Sequence, residues 1–126
     1  MNKDVFRAAA LVVFTLVAAV SGPAAADPVI VTVKVFPSPG REDELQAQYL
    51  RRMEFLRKAE PEAVFHLHRS TKSPVTFLWY EVYPSQASYE NHLKVVMPAF
   101  KKEVGPTPDG VIAKPSESET YVEVAR

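Results

Sequence analysis

From Val29 the chain reads Val-Ile-Val-Thr-Val-Lys-Val-Phe and is then halted by Pro37-Ser38-Pro39-Gly40, a pattern that predicts a strand and a turn. Arg41 to Glu60 contains neither Pro nor Gly, opens with Glu42, Asp43 and Glu44, and spaces Leu45, Tyr49, Met53 and Leu56 at helical intervals. This predicts an amphipathic helix, ended by Pro61 because the residue before a proline is pushed out of helical geometry. Ala63 to Ser70 and Val75 to Tyr83 are β-prone runs separated by Thr71-Lys72-Ser73-Pro74, a connection of hairpin length, so they are expected to pair antiparallel. Ser85 can cap a second helix running through Tyr89 and His92 toward Met97, with Pro98 breaking or restarting it and Ala99 to Val104 adding a further turn or two. Gly105 to Gly110 reads as loop, and Glu119 to Ala125 alternates like a last strand. The order βαββαβ points to an α+β, ferredoxin-like unit: a four-stranded antiparallel sheet with both helices on one face.

Alternation along the strands sorts the residues onto two faces. One collects Val31, Val33, Val35, Phe65, Leu67, Leu78, Tyr80 and Val82, an aliphatic set assigned inward beneath the helices. The other collects Ile30, Thr32, Phe36, His66, His68, Phe77, Trp79, Glu81 and Tyr83, too aromatic for a face left in water. Two helices cannot cover both faces. A second copy of the same chain, sheet against sheet, is the simplest cover, so a homodimer is expected with His66, His68, Phe77, Trp79, Glu81 and Tyr83 at its face.

The segment before the first strand has a different character. Lys3 and Arg7 precede the uncharged run Ala8 to Val20, followed by Ser21, Gly22, Pro23 and Ala24-Ala25-Ala26. The run is about 13 residues, short of the ~20 that a spanning helix needs, and the small residues suit signal peptidase. Residues 1–26 therefore read as a secretory signal peptide and 27–126 as the folded domain, periplasmic or secreted and free of the membrane after cleavage; an uncleaved anchor is the alternative.

Composition narrows the chemistry. The 126 residues are 47% hydrophobic and 24% charged, a foldable balance for one domain. With no cysteine, disulfides, thiolate metal sites and cysteine nucleophiles are excluded together. Four glycines, at Gly22, Gly40, Gly105 and Gly110, leave no phosphate loop or dinucleotide fingerprint. Formal net charge is +0 with no basic stripe, so nucleic acid is not an expected partner.

The three histidines carry the remaining candidates. His66 and His68 lie two apart on one strand, ~7 Å from each other, with Glu81 on the adjacent strand. By residue type this is a metal set, but any strand with alternating histidines provides the spacing, and polar pairs within a dimer face are preferred; ligand contact is a third alternative. No metal is expected. In the hairpin register favoured by the pattern, Trp79 lies opposite His66. His92 borders the apolar stripe of the second helix, where it can shuttle protons near neutral pH or serve as a helix-edge histidine bonded to a backbone group or carboxylate. Arg51, Arg52, Glu54, Arg57 and Lys58 read as the solvated face of the first helix.

Pro39-Gly40 before an acidic helix, Glu60-Pro61 at its end, His68-Arg69-Ser70, Tyr80-Glu81, Ser85, Ala87 and His92-Leu93 together resemble the antibiotic biosynthesis monooxygenase family of dimeric α/β barrels. The resemblance runs from about Val29 to Val104. It implies sheet-to-sheet dimers with a pocket in each subunit between sheet and helices. Some relatives oxygenate polycyclic phenols or quinols without metal or flavin, others degrade haem, and others bind or isomerise small metabolites. On this resemblance His92 matches the family's helix histidine and would be the catalytic residue, holding or deprotonating a hydroxylated aromatic; Tyr49, Tyr80 and Val33 would line the pocket. A small aromatic or quinone-type ligand is expected, haem is less favoured, and no cofactor is required. The chain departs from the pattern where a pocket asparagine usually stands on the first strand, since Val33 and Val35 occupy that strand and Asn91 is the only asparagine after residue 26. It also has Glu60-Pro61-Glu62 in place of Glu-Pro-Gly. The competing class is a non-catalytic ligand-binding or interaction module on the same scaffold.

Overall fold

The computed structural model describes residues 27–126, and the export segment expected at 1–26 lies outside the described residues. The β-branched run forms β1 (Val29–Pro37), followed by α1 (Glu42–Ala59), β2 (Val64–Arg69), β3 (Phe77–Tyr83), α2 (Gln86–Asn91), a π-helical turn (His92–Val96), α3 (Met97–Val104) and β4 (Ile112–Tyr121). The four strands pair antiparallel in the order β2-β3-β1-β4, the ferredoxin-like arrangement the element order implies. Among the described residues, no helix is long and apolar enough to cross a membrane.

Helix α1 buries Leu45, Tyr49, Met53 and Leu56, the four positions its periodicity marks, together with Gln48. Its first turn is acidic and its last turn carries Arg57 and Lys58, both favourable to the helix dipole. At its end the backbone of Glu60 swings to φ −134°, ψ 65° ahead of Pro61, and the Glu60 side chain turns inward. Ser85 caps α2 as expected, its hydroxyl accepting from the Ser88 N–H at 3.1 Å.

Pro98 does not break the second helix. The turn before it widens instead, with the Met97 N–H donating to the His92 carbonyl, the i to i+5 bond of a π turn. Widening relieves the clash a proline ring makes with the preceding turn. It also sets His92 and Val96 side by side in the buried stripe.

The faces of β3 are the main correction. Its register pairs Phe65 with Glu81, His66 with Tyr80 and Leu67 with Trp79, one residue away from the expected pairing of His66 with Trp79. A slip of one residue turns every side chain of a strand over. Phe77, Trp79, Glu81 and Tyr83 are therefore not at a dimer face: they lie beneath the helices, at most 2% exposed, beside Val31, Val35 and Phe65. The pull is aromatic packing, since Tyr49 of α1 meets Phe77 and Trp79 edge-on with centroids 5.8 and 5.3 Å away. Leu78, Tyr80 and Val82 move to the outer face, which also holds Ile30, Thr32, His66 and His68 as expected.

The last strand begins earlier than its alternation suggests and ends at Tyr121. Its residues are mostly polar, and it passes Pro115 by a bulge: Phe36 pairs with Lys114 and Lys34 with Glu117, leaving Pro115 and Ser116 opposite Val35. An edge strand with a bulge accommodates a proline that a central strand would reject.

Candidate active site

Between α1 and the second helical segment the chain opens into a cleft of about 700 Å³. Helix α1 contributes Gln48, Tyr49 and Arg52, the π turn and α3 contribute Leu93, Met97, Pro98, Phe100 and Lys101, and the loop after α3 closes one side with Gly105, Pro106 and Thr107. Gly105 adopts φ +99°, a conformation that favours glycine, and so directs the loop back toward α1. There the Gln48 side-chain amide donates to the Pro106 carbonyl at 3.1 Å and ties the loop in place.

Behind the cleft lies a buried polar cluster. His92 is 2% exposed, and its Nδ1 stands 2.7 Å from Oε2 of Glu60, the residue that Pro61 forces out of α1. The imidazole packs against the rings of Tyr83 and Phe65 at centroid distances of 5.0 and 6.0 Å. The Tyr83 hydroxyl donates to Glu81 Oε2 at 2.6 Å. Arg52 spans the two regions, its guanidinium 4.8 Å from the centre of the Trp79 ring and its Nη2 3.8 Å from Glu81 Oε1. Several polar atoms here have no hydrogen-bond partner among the described residues: Arg52 Nε, Trp79 Nε1, Glu60 Oε1, Glu81 Oε1 and Gln48 Oε1.

Burial sets the protonation of the Glu60–His92 pair. It pushes the Glu60 carboxyl up to about 7, helped by the nearby charge of Glu62 and opposed by Arg52. It pushes the His92 imidazole down to about 4, with Glu81 opposing and Arg52 assisting. Between these values the pair holds one proton. With that proton on Glu60, the carboxyl donates to Nδ1 and His92 carries its own hydrogen on Nε2. Once Glu60 ionises, Nδ1–H donates to the carboxylate and Nε2 is left with a free lone pair. The ring's second nitrogen thus changes from donor to proton acceptor when the carboxyl loses its proton. Tyr83 is held protonated, pushed up by burial and then by the charge of Glu81 that it hydrogen-bonds; burial likewise raises Tyr49.

Of the residues expected to line the pocket, Tyr49 does so. Val33 is on the inner face of β1, directly opposite Trp79, partly buried against the core and not among the cleft residues. Tyr80 is on the far side of the sheet from Tyr49, displaced by the same slip that turned Trp79 inward. His66 and His68 remain exposed on the outer face with ring centroids 6.1 Å apart, while Glu81 lies on the opposite face, so the three do not assemble a metal set. Among the described residues, no group of three or more His, Asp or Glu is placed to hold a metal ion. His92 is not itself among the residues that line the cleft, whereas its chain neighbour Leu93 is.

The pattern along the sequence did not mark Glu60, Arg52 or Gln48 for this region. Arg52 looked like one more charge on a solvated helix face, yet its side chain is 19% exposed while Lys58 and Glu54 beside it are open to water. Its position one turn from Gln48 and adjacent to Met53 on the buried stripe is the signal that could have placed it.

Residues 28–102 match the family model described as antibiotic biosynthesis monooxygenase. The chain belongs to that family. No match is found among curated proteins. Solved structures similar to this family member include an antibiotic biosynthesis monooxygenase homologue from Caulobacter crescentus CB15, 19% identical, with a TM-score of 0.65 over 80% of this chain and 93% of that one. Rv0793 from Mycobacterium tuberculosis is 19% identical with a TM-score of 0.60, over 79% and 97% of the two chains. A protein from Chloroflexus aurantiacus J-10-fl named for the same family is 22% identical with a TM-score of 0.58, over 79% and 95%. At these identities the likeness establishes the fold, and the chemistry must be argued from the residues present.

Proposed function

We propose that this monooxygenase-family protein oxidises a small phenol or quinol-type aromatic seated in the cleft between α1 and α3, without a cofactor. The observation that carries this reading is the buried Glu60–His92 pair, at 2.7 Å, with His92 next in the chain to Leu93 of an open and largely apolar cleft walled by Tyr49 and Phe100. A phenol entering beside Leu93 would give its proton to Nε2 of His92 when Glu60 is ionised. The resulting phenolate is electron-rich enough to pass one electron to dioxygen, and recombination of the radical pair forms a carbon–oxygen bond at the ring. Loss of water then leaves a quinone: one phenol and one O₂ become one quinone and one H₂O.

Oxygen uptake and product formation with a panel of naphthols, measured on wild type and His92→Ala, test the reading. Uptake should match product one to one, and the variant should be slower by ~10²–10⁴-fold, the range for loss of a general base. A second reading, a binding module without turnover, is favoured by one observation: His92 is not itself among the residues that line the cleft. It expects naphthols to bind with no oxygen uptake in either protein. Export of the chain through residues 1–26 and assembly of two copies through the outer sheet face complete the proposal. The first is checked by mass spectrometry of the secreted form, expected to begin at or near Asp27; an intact Met1 in that form would make the segment an anchor.

A further inference from the structure

The wall of the cleft carries two cations, Arg52 and Lys101, and no carboxylate. Lys101 is exposed at the rim, whereas Arg52 is mostly buried and only partly committed. A guanidinium offers five N–H donors. Among the described residues its Nε has no partner, and the nearest carboxylate, Glu81, stands 3.8 Å from Nη2, beyond hydrogen-bond distance. The other oxygen of that carboxylate already accepts from the Tyr83 hydroxyl at 2.6 Å. Desolvating a guanidinium and leaving donors unmatched is unfavourable unless an acceptor arrives. The rest of the wall is built for an apolar body, with Tyr49, Leu93, Met97 and Phe100 around it.

We propose that the ligand of this cleft is an organic anion, an apolar ring system bearing one negatively charged oxygen group that pairs with Arg52 and is drawn in by Lys101. The inference rests on the reading of this cleft as the ligand site and narrows it to a charge class. Neutral aromatics fill the apolar part alone; an anion also satisfies the guanidinium.

Two fluorescent probes with the same ring skeleton separate the classes: 8-anilino-1-naphthalenesulfonate, an anion, and N-phenyl-1-naphthylamine, which is neutral. Both are titrated into wild type, Lys101→Met and Leu93→Glu, substitutions at exposed positions of the cleft wall that leave the core intact. The sulfonate should weaken several-fold with Lys101→Met and about tenfold or more with Leu93→Glu, which sets a like charge on the wall beside the anion. The neutral probe should change less than about twofold with Lys101→Met, and with Leu93→Glu it should lose less than the sulfonate does, by the apolar contact alone. Arg52→Met, made together with Glu81→Gln so that no buried carboxylate is stranded, should also weaken the sulfonate about tenfold or more. Equal losses for both probes would overturn the anion inference and leave the cleft as a ligand site. Unchanged binding of both probes in every variant would instead overturn the reading of the cleft itself.

Discussion

Alternate residues of β3 face two different environments. Phe77, Trp79, Glu81 and Tyr83 point under the helices and are at most 2% exposed, while Leu78, Tyr80 and Val82 point outward, Leu78 being 38% exposed. Both sets are apolar enough to be buried. The inner set already has its partners within one chain: Tyr49 stands edge-on to Phe77 and Trp79, Arg52 lies over Trp79, and Glu81 accepts from Tyr83. The outer set meets Ile30 and Thr32 across the sheet, and no helix among the described residues lies over it. The lesson is that a strand's alternation says which residues travel together, while the helix laid across it decides which set goes inside.

The contrast breaks most visibly at Trp79. Trp79→Ala should cost about 3–5 kcal/mol in denaturant unfolding, because it empties a fully buried site against Tyr49 and Arg52. Tyr80→Ala, one residue away, should cost much less at concentrations where single chains prevail. Equal costs would mean that the two faces do not differ as described.

The outer face is tested by a charge. If a second copy covers it, Tyr80→Asp should yield folded single chains by sedimentation where wild type sediments as a dimer at micromolar concentration, since pairing would bury a carboxylate without a partner. A wild type that is monomeric, or a Tyr80→Asp protein that remains dimeric, would remove the sheet-to-sheet assembly.

On the inner face the pair of Glu60 and His92 gives a subtler signature in stability against pH. Glu60 is raised from 4.5 to about 7, so what it contributes is fully present below pH 4.5 and is lost as pH rises toward 7. His92 is lowered from 6.5 to about 4, so what it contributes is present above 6.5 and is lost as pH falls toward 4. The stability of wild type relative to Glu60→Gln should therefore decline between pH 4.5 and 7. Relative to His92→Ala it should instead climb between pH 4 and 6.5. Difference curves without slope in these windows would show that burial does not shift the pair.

How much of this was readable beforehand follows the range of the interactions. The spacing of Leu45, Tyr49, Met53 and Leu56 and the capping hydroxyl of Ser85 are local signals, and both appear where their patterns place them. The orientation of β3 was not readable because both of its alternating sets are apolar. The span of β4 was hidden by Pro115 and a polar composition that only an edge strand with a bulge tolerates. His92 stood out as a lone histidine on a helix. Its partner did not, because Glu60 is 32 positions away and its inward turn depends on how Pro61 ends a different helix. Arg52 was hidden by its charged neighbours. Long-range side-chain pairing, rather than helix or strand propensity, is what the pattern withheld.

On the proposed function Glu60 controls whether His92 can accept a proton, and the pH dependence of oxygen uptake with a naphthol tests this most directly. For wild type the rate should rise through about pH 7, where the buried carboxyl ionises and Nε2 gains its lone pair, and then level off. In Glu60→Gln that inflection should vanish, since no group in the pair then titrates near 7. A Glu60→Gln protein that retains the wild-type profile would contradict the account.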